Sequence, residues 1–308
     1  MTDLFIASDT VEHDAPVPYL ERTRRYYQAL GYGEPYRWAH HAQVPYTPLR
    51  RPLSTCIVGL VTTAAPRVDD GGDARDEVAY RASAKFDAVY SGETKTDPAL
   101  RIDHVAIDFQ HARMDDLQAW FPLAALRRAA AAGRIGAVAR RFHGVPTNRS
   151  QRRTLDEHVP ALVARCRADA CDAVVLVPNC PVCHQTLSLG ARALEEAGIA
   201  TVLLGSAKDI VERVGVPRFA FTDFPLGNAA GRPHDVASQE AVLALALDLL
   251  EHAFAPRTTV QSPLRWSDDP AWKLDYANPD RLSKDEIERR RRAFDRAKAE
   301  AKAVRSRA

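Results

Sequence analysis

Two cysteines and a histidine at the start of one helix are the residues best suited to chemistry in this sequence. Cys180, Cys183 and His184 lie in the string VPNCPVCHQT, directly after the apolar run Ala173–Val177. A short valine-rich run of this kind predicts a strand buried on both faces of a parallel sheet. Pro181 suits the first position of the next helix, because proline has no N–H to leave unpaired there. The sequence therefore predicts a strand, a tight turn and a helix, with both cysteines at the turn.

The spacing of the two cysteines favours thiol chemistry. If Cys180 is the N-cap and Cys183 the third helical residue, their sulfurs face each other as the side chains of a capping box do. Free backbone N–H groups at the helix start favour a thiolate over a thiol. We therefore expect the pKa of Cys180 to lie below its reference value of about 8.5. His184 would add positive charge or supply a proton.

Two other kinds of site use similar strings. CxxCH matches the attachment pattern of haem c, but haem attachment requires export, and the N-terminal residues do not resemble a signal peptide. A structural zinc site needs four ligands, and the sequence has no second CxxC or HxxxH pair. The pattern favours redox or nucleophilic thiol chemistry, and we predict no metal and no cofactor held by this chain.

The elements around this turn alternate between apolar strand-like runs and helical patterns. This alternation predicts an α/β fold with a mostly parallel, doubly wound sheet and helices on both faces. We assign residues 52–254 to this α/β catalytic domain. Residues 1–51 are predicted to form an extended N-terminal arm. Residues 255–308 are predicted to form an irregular segment and a charged helical tail, with RRRR at 289–292.

Further site residues are predicted from their places at strand ends and in loops. Loops at the carboxyl ends of parallel strands line the ligand crevice of open α/β sheets. On this ground we expect the substrate pocket to include Thr62, Thr63, Asn179 and Gly227. His104 lies within one strand-like run and His143 lies in the loop after another, and His104 is a candidate general acid near the thiols.

Composition narrows the class of protein. The 308 residues include 42 basic and 40 acidic side chains, and this balance gives no argument for nucleic-acid binding. No stretch approaches the roughly 18 apolar residues that a membrane span requires. The 5 cysteines are an odd number in a chain too large to need disulfides, which favours a reducing cytoplasm. We predict a cytoplasmic protein that binds neither nucleic acid nor membrane.

The residues around the cysteines also carry a family resemblance. The segment DAVVLVPNCPVCHQT, followed by ARALEEAGIATV, resembles the selenoprotein B family of glycine, sarcosine, betaine and D-proline reductases. Many members have selenocysteine at the position of Cys180. The similarity extends to VPYLERTRRYYQALGYGEPYRWA and PRFAFTDFPLGNAAGRPHD, and it covers roughly residues 16–254.

The resemblance implies a thiol-dependent reductase that cleaves a C–N bond, or another C–heteroatom bond, in a small molecule. It assigns Cys180 as nucleophile and Cys183 as resolving thiol, with a dithiol or thioredoxin-like protein as electron donor. His184 matches the motif as an acid or an orienting group, and His104 and His143 lie where the family tends to have histidines. The family's amine substrates are held by a pyruvoyl group on a separate subunit, so a pyruvoyl-bearing partner is implied. We also expect a homo-oligomer.

Cysteine in place of selenocysteine leaves alternatives open. A thiolate is the poorer nucleophile at neutral pH and the poorer leaving group in exchange. The substrate is then either easier to cleave than glycine or proline, or a different electrophile. The chain could instead be a thiol–disulfide oxidoreductase, or a non-catalytic scaffold subunit for a pyruvoyl-type partner.

Overall fold

The computed structural model describes residues 14–67, 86–102, 106–147 and 150–305. His104, one of the predicted site residues, lies outside these ranges. The strands are β1 (Ile57–Thr62), β2 (Ala65–Pro66), β3 (Tyr90–Glu93), β4 (Leu100–Arg101), β5 (Ala137–Val138), β6 (Arg141–Gly144), β7 (Ala173–Val177), β8 (Ala200–Gly205), β9 (Arg218–Phe221) and β10 (Thr258–Gln261).

Helices connect most of these strands. They are α1 (Tyr19–Ala29), α2 (Leu123–Ala131), α3 (Gln151–Arg153), α4 (Val159–Ala168), α5 (Pro181–Glu196), α6 (Lys208–Val214), α7 (Val236–His252) and α8 (Lys284–Arg305). Short 3-10 helices cover Leu53–Thr55, Leu117–Ala119, Pro270–Leu274 and Pro279–Arg281.

One sheet of 8 strands organises the fold. Its order is β10-β9-β8-β7-β1-β6-β3, with β5 pairing beside β6 along β1. All of these pairs are parallel except β3 with β6, at one edge. β2 and β4 form a separate antiparallel pair. The predicted α/β fold with a mostly parallel sheet is therefore confirmed.

Strand β7 shows how the sheet divides two cores. Its residues alternate between two apolar clusters, with Ala173, Val175 and Val177 in one and Val174 and Leu176 in the other. The first cluster contains side chains of α2 and α7, and the second contains side chains of α4, α5 and α6. Because successive side chains of a strand point to opposite faces, helices cover both faces of the sheet here. All five β7 residues are buried, as the unbroken apolar run predicted.

The helix before β7 differs from its predicted form. Thr154 and Glu157 suggested a capping box and a helix from there to residue 170. The structure instead begins with α3, capped by the Ser150 side chain, which accepts the N–H of Arg153 at 3.2 Å. A π-helical turn, Thr154–His158, then leads into α4. Pro160 lies in the first turn of α4, where a missing N–H is tolerated.

The sheet also extends past residue 254, where the sequence predicted the α/β domain to end. β10 pairs in parallel with β9 from Thr258 with Arg218 to Gln261 with Phe221. The preceding Arg257, with a φ of 64°, turns the chain into this strand. A run of four residues at a sheet edge leaves little periodicity in the sequence, so the prediction missed it.

Among the described residues, no helix is both long and apolar enough to cross a membrane.

The residues after α1 run across α5. The backbone N–H of Ala39 donates to Gln185 Oε1 at 2.7 Å, and Gln185 donates to the Tyr36 hydroxyl at 2.6 Å. Thr47 Oγ1 donates to the Glu195 carbonyl at 2.7 Å. These contacts fix the segment along the helix whose first turn carries the two cysteines.

Candidate active site

The turn from β7 to α5 has the form that the sequence predicted. Cys180 is the N-cap of α5, with extended backbone angles, and Pro181 is the first helical residue. Cys180 Sγ accepts the backbone N–H of Cys183 at 3.3 Å. The Cys183 thiol also acts on the Cys180 thiol and, after burial, is the largest cause of its raised pKa. The two sulfurs therefore face each other at the helix start.

The end of strand β1 supports this turn from the side. Thr62 pairs in register with Val177, so the residues that follow the two strands lie next to each other. Thr63 Oγ1 accepts both the backbone N–H and the side-chain N–H of Asn179, each at 3.3 Å. Asn179 Oδ1 is buried without a hydrogen-bond partner among the described residues. It is an acceptor available to a ligand N–H or O–H.

Thr62 has a local role. Its Oγ1 accepts the backbone N–H of Ala64 at 3.1 Å, and its side chain is fully buried. This contact shapes the bend after β1. Of the four predicted pocket residues, Thr63 and Asn179 touch each other directly beside Cys180, and Thr62 supports them from the strand end.

His184 is held from both sides of its ring. Nδ1 lies 2.8 Å from the Cys180 carbonyl, and Nε2 accepts the backbone N–H groups of Ser206 and Ala207 at 3.0 and 3.2 Å. The contacts fix the neutral tautomer with its proton on Nδ1. Burial lowers the pKa of His184 to about 4. These contacts suit the orienting role, since neither nitrogen is left to deliver a proton.

A glycine makes room for this ring. A Cβ on Gly205, the last residue of β8, would lie 2.7 Å from His184 Nε2. The imidazole thus joins the Cys180 backbone to the turn after β8. The N-cap carbonyl of α5 is held in place by this link.

Thr147 is a site residue that the sequence reasoning missed. Its hydroxyl lies 3.3 Å from Cys183 Sγ. Towards a thiolate, the hydroxyl would act as donor and stabilise the charge. The signal in the sequence was its position three residues after strand β6, among the loops that end at the same sheet edge.

Burial changes the electrostatics of the pair from what the sequence predicted. Cys180 is 5% exposed and Cys183 is 0% exposed. Burial and the neighbouring Cys183 raise the pKa of Cys180 well above its ordinary value, although backbone N–H groups of Cys183 and Val182 lower it. The expectation of a lowered Cys180 pKa is therefore wrong, because the desolvation of the buried thiol raises its pKa by more than the N–H groups at the helix start lower it.

His143 lies in an ion-pair network. On strand β6, its Nδ1 is 2.9 Å from Ser91 Oγ and its Nε2 is 3.1 Å from Asp169 Oδ2. Asp169 also accepts three hydrogen bonds from the Arg141 guanidinium. Burial lowers the pKa of His143 to about 4 despite the carboxylate beside it. The ring is thus held between Ser91 and the buried Asp169 carboxylate, although Nε2 makes no hydrogen bond among the described residues.

Gly227 lies where two loops meet. It has a φ of 110°, and a Cβ there would lie 2.9 Å from a side-chain carbon of Ile107. The backbone N–H of Asp108 donates to the Leu226 carbonyl at 3.1 Å. Ile107 belongs to the same apolar cluster as Cys180 and Cys183. Gly227 therefore lets the loop containing Asp108 pack closely against the loop that follows β9.

Asp108 is the second group that the sequence reasoning did not assign to the site. It is buried, and its Oδ2 has no hydrogen-bond partner among the described residues. Burial raises the pKa of Asp108 to about 6, partly offset by His111. Burial raises the pKa of the Tyr276 hydroxyl, and the charges of Cys180 and Asp108 act in the same direction. This carboxyl can hold a proton near neutral pH.

The segment after β10 packs against the loop that contains Asp108. The Tyr276 hydroxyl donates to the Ala106 carbonyl at 2.9 Å, and its ring packs edge-on against Tyr19 at 5.1 Å between centroids. Asp275 lies 2.9 Å from His111 Nε2. Within the described ranges, no three His, Cys, Asp or Glu side chains cluster in a way that could hold a metal ion.

Comparison with known proteins gives one informative relative. The chain is 27% identical over 206 residues to the D-proline reductase subunit gamma of Acetoanaerobium sticklandii. The match covers 67% of this chain and 82% of that protein. No protein-family model matches the chain, and no solved structure matches it. The chain is thus similar to a subunit of a reductase, which supports a reductase-related role.

Proposed function

We propose that the chain is the thiol-bearing subunit of a reductase that cleaves a C–N bond, or another C–heteroatom bond, in a small molecule. The observation that carries this proposal is the contact between Cys180 and Cys183 at the start of α5. Cys180 is the nucleophile and Cys183 the resolving thiol. The similarity to a D-proline reductase subunit supports the reaction class.

The reaction balances with these two thiols. The Cys180 sulfur forms a bond to the substrate carbon as the C–N bond breaks, and the nitrogen leaves with a proton. The Cys183 sulfur then attacks Cys180 Sγ, the S–C bond breaks, and the carbon takes up a proton. The substrate has gained two electrons, the cysteines form a disulfide, and a dithiol or thioredoxin-like donor reduces it.

Asp108 is our candidate for the proton that the leaving nitrogen needs. His184 has both ring nitrogens engaged, His143 is held between Ser91 and the buried Asp169 carboxylate, and His104 lies outside the described residues. Asp108 is buried, its Oδ2 has no hydrogen-bond partner among the described residues, and its raised pKa of about 6 lets it hold a proton close to neutral pH. Asn179 Oδ1, buried and without a partner among the described residues, would accept a substrate N–H.

A partner subunit belongs to this proposal. The relative's name identifies that protein as a subunit. A pyruvoyl group on a partner would make the carbon next to the nitrogen a better electrophile, which compensates for sulfur in place of selenium. The partner's approach would also have to open a path to the thiols, since Cys180 and Cys183 are covered in this structure. We further propose a cytoplasmic location and a homo-oligomeric arrangement of this chain.

One observation favours a second candidate, a non-catalytic scaffold subunit. Buried thiols with raised pKa values are usually inert. In that case the cysteines would stabilise the turn between β7 and α5, and the chemistry would belong to the partner.

The test is an activity assay on the complex purified from its native host through a tag on this chain. The complex is incubated with D-proline and dithiothreitol, and ring-opened 5-aminopentanoate is measured by mass spectrometry. We expect product from the wild type and from Cys56→Ser, a control at a buried cysteine remote from the turn. Cys180→Ser should abolish turnover.

The outcomes separate the candidates. Product formation that survives Cys180→Ser would contradict the catalytic role and favour the scaffold. A complex with no activity on D-proline would be tested with glycine, sarcosine and betaine. Insulin reduction by the free chain would instead favour a thiol–disulfide oxidoreductase.

A further inference from the structure

A second pair of cysteines lies at the opposite end of strand β7. Cys166 is in the last turn of α4, and Cys171 comes two residues before the strand begins. Neither takes part in the proposed reaction. The chain therefore has two cysteine pairs, one before and one after the same central strand.

The end of α4 brings these two side chains together. The backbone N–H of Cys171 donates to the Cys166 carbonyl at 3.0 Å, and that of Ala170 donates to the Arg167 carbonyl at 3.0 Å. Ala170 has a φ of 52°, in the left-handed region. These are the two hydrogen bonds and the backbone turn of a Schellman motif. In that motif the side chains at the positions of Cys166 and Cys171 contact each other.

The packing confirms the contact. Both thiols belong to the apolar cluster that contains Leu162 and Val174, and the Cys171 thiol is the largest influence on the pKa of Cys166. Gly59 of strand β1 leaves the space for one sulfur, because a Cβ there would lie 2.9 Å from Cys171 Sγ. The helix end and this packing place the two sulfurs side by side.

We infer that Cys166 and Cys171 are a second redox site, which small-molecule disulfides such as glutathione disulfide oxidise to an intrachain disulfide. The bond would join the end of α4 to the residues that enter β7. This inference is independent of the proposed reductase function, because it concerns different cysteines at the other end of the strand.

The order of the steps follows from exposure. Cys171 is 8% exposed and Cys166 is 0% exposed, so Cys171 meets the oxidant first. The Cys171 thiolate attacks one sulfur of glutathione disulfide and releases one glutathione. The Cys166 thiolate then attacks Cys171 Sγ and releases the second. Two cysteine protons leave, the protein loses two electrons, and the glutathione disulfide is reduced to two thiols.

The reaction should be slow at neutral pH and faster at higher pH. The neighbouring Cys171 thiol, together with burial, raises the pKa of Cys166, and Asp169 acts in the same direction. Asp169 is itself paired with Arg141 and His143. Because only the thiolate attacks, the rate should rise about tenfold per pH unit below the pKa. We therefore choose pH 8.5 for the test.

Tryptic peptides report this bond directly. Trypsin cuts after Arg165, Arg167 and Arg192, so Cys166 is released in a dipeptide and Cys171 in the peptide 168–192. A Cys180→Ser/Cys183→Ser variant leaves Cys171 as the single cysteine of that longer peptide. The folded variant is incubated with glutathione disulfide, quenched with iodoacetamide in urea, digested and analysed by mass spectrometry. Circular dichroism first confirms that the variant is folded.

We expect the dipeptide to be linked to peptide 168–192. The disulfide should form at least about tenfold more in the folded chain than in the urea-unfolded chain at the same glutathione ratio, because the fold holds the sulfurs together. Cys166→Ser in the same background should give only glutathione mixed disulfide at Cys171. If both cysteines remain alkylatable in the folded chain, or if the bond forms equally in urea, the inference is refuted.

Discussion

A buried ion pair between helix α5 and strand β9 offers a sharp test of the fold. Arg218 on β9 donates from its guanidinium to Glu195 Oε1 at 2.9 Å, and both side chains are 0% exposed. Glu195 also accepts the backbone N–H groups of Thr47 and Thr201. A second guanidinium nitrogen of Arg218 donates to the Thr47 carbonyl at 2.8 Å. The pair therefore joins the end of α5, the sheet and the N-terminal arm.

The cost of breaking this pair follows from its burial. Arg218→Met leaves a buried carboxylate without its partner, and Glu195→Gln leaves a buried guanidinium, so each should destabilise the chain by about 3–5 kcal/mol. Burial already raises the pKa of Glu195, and the Arg218 charge only partly offsets it. The pair as a whole thus contributes little net stability. The double variant should be less destabilised than the sum of the single variants by at least about 1 kcal/mol.

The assay is urea unfolding followed by circular dichroism for the wild type, both single variants and the double variant. Arg134→Met is a matched control, since Arg134 makes a partly exposed pair with Asp248 and should cost at most about 1 kcal/mol. Single variants that lose less than about 1 kcal/mol, or additive losses in the double variant, would refute the reasoning.

Four further predictions concern the site. Alkylation of Cys180 by iodoacetamide should keep rising above pH 9, because burial raises its pKa. Thr147→Val should slow closure of the disulfide through Cys183 about tenfold, by removing a hydroxyl 3.3 Å from the sulfur. Gly227→Ala should cost roughly 1–3 kcal/mol of stability, since its φ is 110° and its Cβ would meet a side chain at 2.9 Å. In the wild type, raising the pH from 4 to 7 should lower the free energy of unfolding by roughly 2–3 kcal/mol through Asp108, and Asp108→Asn should abolish this decrease.

The sign of the last prediction follows from the folded state's preference for the neutral carboxyl. The pKa of Asp108 is raised to about 6, so the unfolded chain releases this proton first and stability falls as pH rises through that window. The measurement is urea unfolding from pH 4 to pH 7. Identical pH profiles for Asp108→Asn and the wild type would contradict it.

Each of the other three site predictions has a control variant or a result that would contradict it. Thr147→Ser retains the hydroxyl and should close the disulfide at the wild-type rate, measured by quenched alkylation. A plateau of Cys180 alkylation below pH 8 would mean that the thiols are more solvated than this structure shows. Gly133 also has a positive φ, at 72°, but a Cβ added there would meet nothing within 4 Å. Gly133→Ala should therefore lower the free energy of unfolding by less than Gly227→Ala does, as measured by urea unfolding.

The cysteine turn was predictable because local chemistry fixes it. An unbroken apolar run, Pro181 and the spacing from Cys180 to Cys183 are enough to place a buried strand, a helix start and two facing sulfurs. The parallel sheet followed from the same kind of local signal, repeated along the chain. Thr63 was placed at the mouth of the site by the rule that loops meet at the carboxyl edge of such a sheet.

The electrostatics could not be predicted, because they depend on what packs over the turn. The sequence places Cys180 in the field of a helix start, but burial by residues distant in the chain reverses the direction of its pKa shift. The roles of His184 and Asp108 were hidden for the same reason. The role of His184 depends on the backbone N–H groups of residues 206 and 207. The role of Asp108 depends on a loop that is held by the Leu226 carbonyl.

The central claim, that Cys180 and Cys183 are a redox pair, is tested most directly by mass spectrometry of the alkylated protein before and after dithiol reduction. Since Cys166 and Cys171 also report in this assay, it is performed on the purified complex carrying a Cys166→Ser/Cys171→Ser variant of this chain that is shown to be folded. We predict loss of two alkylated sites under mild oxidant and their full return with dithiothreitol. If Cys180 and Cys183 remain reduced under conditions that oxidise a surface dithiol peptide, the pair is not redox-active and the reductase mechanism proposed for this chain is wrong.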